Sequence, residues 1–213
     1  MAVTMNDKVL AEAFGPSEGT ALRIKQAILV VVGIAVLAIA AKIKVPVPNS
    51  PVPIGMGTFA VLTIGAGYGP RLGLTTILGY MIVGALGFDV FTSSTAELNG
   101  LTYMAGSTGG FLVGFVLATL ALGYFARLGW DRSVTMMAVA MLIGSALLYV
   151  PGLLWLASWI EAGGMFDAAK FGTLTQQTLA WGMLPFLIGD LIKLALAALL
   201  LPAIWKLVGK ARA

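Results

Sequence analysis

Asp190 and Lys193 stand three residues apart in the run Gly182-Met183-Leu184-Pro185-Phe186-Leu187-Ile188-Gly189-Asp190-Leu191-Ile192-Lys193, and they are the only ionisable residues well inside a long apolar segment. On a helix, residues i and i+3 share a face. A charge at the centre of a bilayer costs roughly 2.5–3.5 kcal/mol on insertion scales, so such residues face a bundle interior or a wet cavity and mark function. A carboxylate acceptor beside an ammonium donor forms a complementary fork for a planar group carrying N–H and C=O side by side. The plainer alternative is a structural ion pair that neutralises itself or ties two helices together. Pro185, in the same run, removes one backbone hydrogen bond and is expected to kink the helix. Tyr149, Trp155, Trp159, Trp181 and Phe186 fall in the outer halves of the last two apolar runs. Most of these suit packing or an interfacial belt, with Tyr149, Trp155 and Phe186 as candidates to floor an apolar pocket.

The residue inventory excludes most catalytic chemistry. The chain has no histidine and no cysteine, which removes imidazole and thiolate metal sites, disulfide scaffolds and His-based catalysis. It shows no Walker loop, no paired carboxylates within a span and no metal-ligand cluster. A serine–lysine dyad with Lys193 is formally conceivable, but no serine stands in a recognisable nucleophile setting. The reading is therefore of a non-enzyme without a metal or a cofactor.

These residues need a scaffold, and composition says which kind. Hydrophobic residues make up 59% of the 213 and charged residues 10%, against roughly half and a quarter in ordinary soluble domains. The chain reads as an all-α integral membrane protein. The net charge of +4 is spread thinly, which argues against nucleic acid as a partner and leaves the lipid bilayer as the surrounding. Residues 1–20 are polar and read as a soluble tail; residues 21–213 form one membrane domain. A helix needs about 20 apolar residues to span a bilayer. Candidate runs cover residues 21–43, 57–68, 72–88, 106–126, 134–160 and 179–208, so six transmembrane helices are expected, the second short. Four prolines in Val45-Pro46-Val47-Pro48-Asn49-Ser50-Pro51-Val52-Pro53 exclude helix there and favour an extended connector. Gly106, Gly110 and Gly114 fall on one face of the fourth run, with Gly109 beside them, and suit close helix approach.

Lysine and arginine placement orients the bundle. With the N-terminus in the cytoplasm, the inner side holds Lys8, Arg23, Lys25, Arg71, Arg127, Arg132, Lys206, Lys210 and Arg212, and the outer side only Lys42, Lys44 and Lys170. Both termini are then expected to be cytoplasmic. Three long connectors fall outside, residues 45–53, 89–103 and 161–177, and resemble a lid over a site that opens that way.

Several blocks in order carry a resemblance to a known family. They are Val45-Pro46-Val47-Pro48 through Pro51-Val52-Pro53, Thr58-Phe59-Ala60-Val61-Leu62, Gly69-Pro70-Arg71-Leu72-Gly73 and Gly84-Ala85-Leu86-Gly87. The series continues with Gly106 to Gly114, Trp155, Leu184-Pro185-Phe186 and Gly189-Asp190-Leu191-Ile192-Lys193. Over residues 34–201 the chain resembles the BioY family, the biotin-specific substrate-binding S components of energy-coupling-factor (ECF) vitamin transporters. The resemblance implies an S-component type bundle in the cytoplasmic membrane. Biotin, as transported ligand, would lie near the outer face under the first and third outer loops. It implies site roles for Asp190 and Lys193, nominates Asn99, Gly100 and Tyr103 from the loop before the Thr108-Gly109-Gly110 block, and adds Thr58. A transmembrane coupling protein and two ATPase subunits are the implied partners, although some family members are proposed to work without them.

Three departures stand out. The family commonly has a glutamine where this chain has Gly57, and a tyrosine where it has Phe111. The first-helix alanines that often contact the coupling subunit at four-residue spacing here fall at Ala35, Ala38 and Ala41.

Overall fold

The computed structural model describes residues 8–48 and 50–212, the last three of these without their side chains. Met1–Asp7 of the expected tail, Asn49 of the proline connector, Ala213 and the basic side chains of Lys210 and Arg212 lie outside the described residues. Eight helices and one two-stranded ribbon make up the described fold: α1 (Gly19–Lys42), β1 (Lys44–Val45), β2 (Ile54–Gly55), α2 (Gly57–Ala85), α3 (Gly100–Met104), α4 (Gly109–Arg127), α5 (Val134–Ala162), α6 (Ala168–Phe171), α7 (Leu174–Gly182) and α8 (Leu187–Arg212). Four segments are long and apolar enough to cross a membrane: Gly19–Lys42, Gly109–Arg127, Val134–Ala162 and Leu174–Gly209. The protein is an all-α membrane protein.

The second and third apolar runs form the two arms of α2. Gly69 has φ +77° and ψ 177°, a non-helical conformation that favours glycine. Pro70 follows, its fixed φ suited to opening the next helix. The chain reverses there, because a Cβ on Gly73 would lie 3.5 Å from the Cα of Gly65, whereas residues eight apart on one straight helix are ~12 Å apart. A Cβ on Gly65 would also lie 3.0 Å from the Cα of Thr119, so both arms press on α4.

Glycines on α4 do the same against α5. A Cβ on Gly110 would fall 2.3 Å from the Pro151 carbonyl oxygen, and one on Gly114 would fall 2.6 Å from that of Leu148. The expected small-residue face is thus a packing face. Gly106 precedes the helix, which starts at Gly109, and its carbonyl accepts from Trp155 Nε1 at 2.8 Å. Pro151 and Pro202 lie within α5 and α8.

Two expectations are revised. The last apolar run is not one kinked helix. α7 ends at Gly182 because Met183 takes φ −136° and ψ −59°; Leu184–Phe186 then form a 3-10 turn carrying Pro185, and α8 starts at Leu187. The described part of the tail is not free in solution. Val9 is fully buried, in a core cluster with Leu62, Leu122, Met141 and Ala197, and Ala13 is nearly as buried. Val9 covers the Gly69 turn, Glu12 takes both guanidinium nitrogens of Arg127, and Arg132 donates to the Lys8 carbonyl. Among the first-helix alanines, Ala41 is buried and faces Gly57 while Ala35 is exposed, so the three do not share one outer stripe.

Candidate functional site

The break between α7 and α8 sets the position of the charged pair. Restarting the helix at Leu187 puts Asp190 in the first turn of α8, where the partial positive charge of a helix N-terminus favours a carboxylate. Lys193 follows one turn later on the same face. Its Nζ donates to Asp190 Oδ1 at 2.9 Å and to Thr58 Oγ1 at 3.1 Å. The Tyr149 hydroxyl donates to Asp190 Oδ2. Side-chain exposure is 8% for Lys193 and 20% for Asp190, so the pair is desolvated but reachable from one side. Three elements converge here: the start of α2 through Thr58, the middle of α5 through Tyr149, and α8.

The reachable side is a cavity with ≈ 690 Å³ of empty space, its mouth and the adjoining open solvent included. Asp190, Lys193, Thr58 and Tyr149 contribute its polar end. Tyr80, Phe91, Tyr103, Phe111, Phe115 and Phe186 contribute aromatic rings to the rest of its wall. Two outer connectors close over it. The proline connector brings Val52 and Pro53, steered by the antiparallel pairing of Lys44 with Gly55 and Val45 with Ile54. It is also pinned to α7, since Ser50 Oγ donates to the Trp181 carbonyl at 2.7 Å. The connector between α2 and α3 brings Phe91 and Thr92. Phe91 stacks on Tyr103 with centroids 5.0 Å apart and meets Tyr80 edge-on at 5.3 Å.

Of the nine residues nominated from the sequence, six line this cavity: Asp190, Lys193, Thr58, Tyr149, Tyr103 and Phe186. The other three do not. The Asn99 amide donates to the Thr95 and Ala96 carbonyls, which folds its own loop. Gly100 turns the chain at φ +61° close to the Ala85 carbonyl. Trp155 lies over Gly109 and Gly110 and holds the Gly106 carbonyl, tying α5 to the start of α4. The third outer connector, residues 161–177, contributes no lining residue.

Lys42 and Lys44 also point elsewhere. Lys42 Nζ lies 2.5 Å from Asp89 Oδ1 and 2.8 Å from the Phe91 carbonyl, and Lys44 donates to the Thr92 carbonyl. The Lys42 ammonium and the Ser94 hydroxyl hold the Asp89 carboxyl below the usual carboxylate range.

Sequence reasoning missed Phe91, Thr92, Tyr80, Thr108 and Phe115 as lining residues. It also missed Ser145, one helical turn before Tyr149, which lines a small annex under the Asp190–Lys193 pair together with Leu62 and Leu148. Their only signal was Phe91 standing in an otherwise Ser- and Thr-rich connector. Both family departures, Gly57 and Phe111, fall in the cavity wall.

Fold and site together define a multi-pass α-helical membrane protein with a lidded, aromatic-lined cavity that ends in a largely buried Asp–Lys pair. The profile of the BioY family matches residues 12–210, and the chain belongs to that family. Among its relatives, the probable biotin transporter BioY of Pyrococcus horikoshii is 31% identical over 142 residues, which is 67% of this chain and 74% of that one. The probable biotin transporter BioY of Methanothermobacter thermautotrophicus is 34% identical, over 62% of this chain and 80% of that one. The biotin transporter BioY of Rhizobium etli is 30% identical, over 67% and 72%. The crystal structure of the S-component for biotin from an ECF-type ABC transporter shares the fold, with a TM-score of 0.74 over 89% of this chain and 95% of that one at 19% identity.

Proposed function

We propose that this protein captures biotin at the outer face of the cytoplasmic membrane as the S component of an ECF-type transporter, without catalytic activity of its own. The observation that carries this reading is the count of unused hydrogen-bonding positions at the polar end. An ammonium has three donors, and Lys193 uses two, on Asp190 and Thr58. A carboxylate offers about four lone-pair positions, and Asp190 uses two, for Lys193 and Tyr149. One donor and two acceptors are left. A ureido ring presents each N–H beside its carbonyl, and one such N–H/C=O edge is the complement of an Asp190 acceptor next to the Lys193 donor. The aromatic wall suits the apolar thiophane, and the tail carboxylate would lie toward the two connectors.

The family's transport role and the biotin named for its relatives support the same ligand. Six spans fit α1, the two arms of α2, α4, α5 and the α7–α8 pair, and the lysine and arginine bias orients both termini to the cytoplasm. Energy would come from a coupling protein and two ATPase subunits, since this chain has no nucleotide site in its sequence.

A second reading keeps the site and changes the ligand to another vitamin or heterocycle. The cavity positions of Gly57 and Phe111 favour it, because there the polar groups common in the family are replaced by a hydrogen and a bare ring. Calorimetry on purified, ligand-stripped protein in mild detergent separates the readings. Tight one-to-one binding of biotin is expected. No binding by a folded, monodisperse sample sinks the biotin assignment and leaves the second reading.

A further inference from the structure

Lys42 closes α1 and Lys44 opens β1, and neither side chain lines the cavity. Both reach across to the connector between α2 and α3. Lys42 Nζ meets Asp89 Oδ1 at 2.5 Å, the Phe91 carbonyl at 2.8 Å, and the Ser94 carbonyl and hydroxyl at 3.4 Å. Lys44 Nζ meets the Thr92 carbonyl at 2.5 Å. Ser94 completes the knot: its hydroxyl donates to Asp89 Oδ1 at 2.6 Å and accepts from the Phe91 amide at 3.0 Å. The residues gripped in this way, Phe91 and Thr92, are the ones that this connector sends into the cavity wall.

Lys44 also belongs to the other half of the cover. It pairs with Gly55 in the ribbon, and Gly55 and Gly57 meet Thr92, with would-be Cβ distances of 3.5 Å to Cγ2 and 3.9 Å to Oγ1. The two connectors therefore touch along Gly55–Thr92, and the lysines bind them together just outside that seam. An opening wide enough to pass a ligand here would separate Lys44 from Thr92 or Lys42 from Asp89.

We propose that Lys42 and Lys44 are positioning residues that latch the connector between α2 and α3 to the proline connector and set the rate at which bound ligand leaves. The proposal rests on the cavity being the ligand site. Asp89 and Lys42 are 53% and 36% exposed, so the latch sits in water, where it can open without unfolding the bundle. Breaking a contact made only in the closed state changes dissociation more than association.

The test uses full-length protein in detergent, with labelled biotin chased by unlabelled biotin, in wild type, Lys42→Gln/Lys44→Gln and Lys42→Arg/Lys44→Arg. Release from the glutamine variant is expected to be roughly three- to tenfold faster, with association within about threefold of wild type, an unchanged melting temperature without ligand, and recovery in the arginine variant. Biotin amide, which lacks the carboxylate, is expected to show the same acceleration. Acceleration confined to biotin overturns the latch and assigns the lysines to the ligand carboxylate. Unchanged release, or a lower melting temperature without faster release, also overturns it. Hydrogen exchange on ligand-free protein provides the reading that needs no ligand: the Phe91 amide is expected to exchange faster in the glutamine variant, and equal exchange overturns the proposal. If wild type fails to bind biotin, the ligand reading falls while the exchange result still decides the latch.

Discussion

Replacing Asp190 by asparagine separates a ligand site from a structural ion pair. The amide keeps one acceptor oxygen and puts an NH₂ where the second carboxylate oxygen was. Tyr149 and Lys193 already occupy one lone-pair position on each oxygen. In the variant, the ligand N–H that Asp190 accepts either meets a donor or loses its charged partner. Hydrogen bonds to charged groups contribute about 1.5–3 kcal/mol, so a loss of that size follows, roughly a 10- to 150-fold weaker affinity. Stability falls as well, since the 8%-exposed Lys193 side chain keeps its charge beside only Thr58. Removing one partner of a buried pair costs about 3–5 kcal/mol, and the partial exposure of Asp190 puts this case at the lower end. Asp190→Asn/Lys193→Met controls for that loss by removing the stranded charge. Calorimetry and thermal melting on the single and double variants provide the assay. Both are expected to bind poorly, with the melting temperature recovered only in the double variant. A well-folded Asp190→Asn protein with unchanged affinity refutes the reasoning, as does a double variant that regains binding along with stability.

Three further outcomes test the packing and the inner end. Asp131 is fully buried in the turn between α4 and α5; one oxygen accepts from Trp205 Nε1 and the other has no hydrogen-bond partner among the described residues. Burial raises its carboxyl to about 6 from 3.8, so the folded state holds a proton that the unfolded chain releases earlier. Its contribution is complete below pH 3.8, is lost as pH rises through about 6, and amounts to at most about 3 kcal/mol. Asp131→Asn, which keeps an acceptor for Trp205, is expected to flatten the melting temperature between pH 3.8 and about 6, the interval between the unfolded and folded values. Gly114→Ala drives a Cβ to 2.6 Å from the Leu148 carbonyl oxygen and is expected to cost about 1–3 kcal/mol by overpacking, read as a lower melting temperature. Val9→Ser is expected to destabilise by about 1.5–3 kcal/mol through lost apolar burial. Glu12→Gln, which loosens a partly exposed pair with Arg127 and a long bond from the Val9 amide, is expected to cost under about 1 kcal/mol, and thermal melting of the two variants ranks them.

Composition and local pattern decided the class of this protein by themselves. A chain with 59% hydrophobic and 10% charged residues has too little polar surface for a water-soluble exterior. The proline connector, the turn at Gly69-Pro70 and the Asp190–Lys193 face follow from one-residue rules of backbone geometry and desolvation, which act without knowledge of the fold. Tertiary structure alone decided which residues meet across the bundle. Thr58, Tyr149 and Lys193 lie far apart in sequence, and no periodicity states that their helices converge. Trp155 is a candidate as an aromatic residue and Asn99 through the family resemblance, yet packing directs both to neighbouring carbonyls. Lys42 and Lys44 read from the sequence only as outer-side basic residues; the connector between α2 and α3 brings its oxygens to them. The break after Gly182 had the same cause: Pro185 signals an interruption, but where the chain leaves the helix, and so which turn carries Asp190, depends on how α7 and α8 each pack against α5.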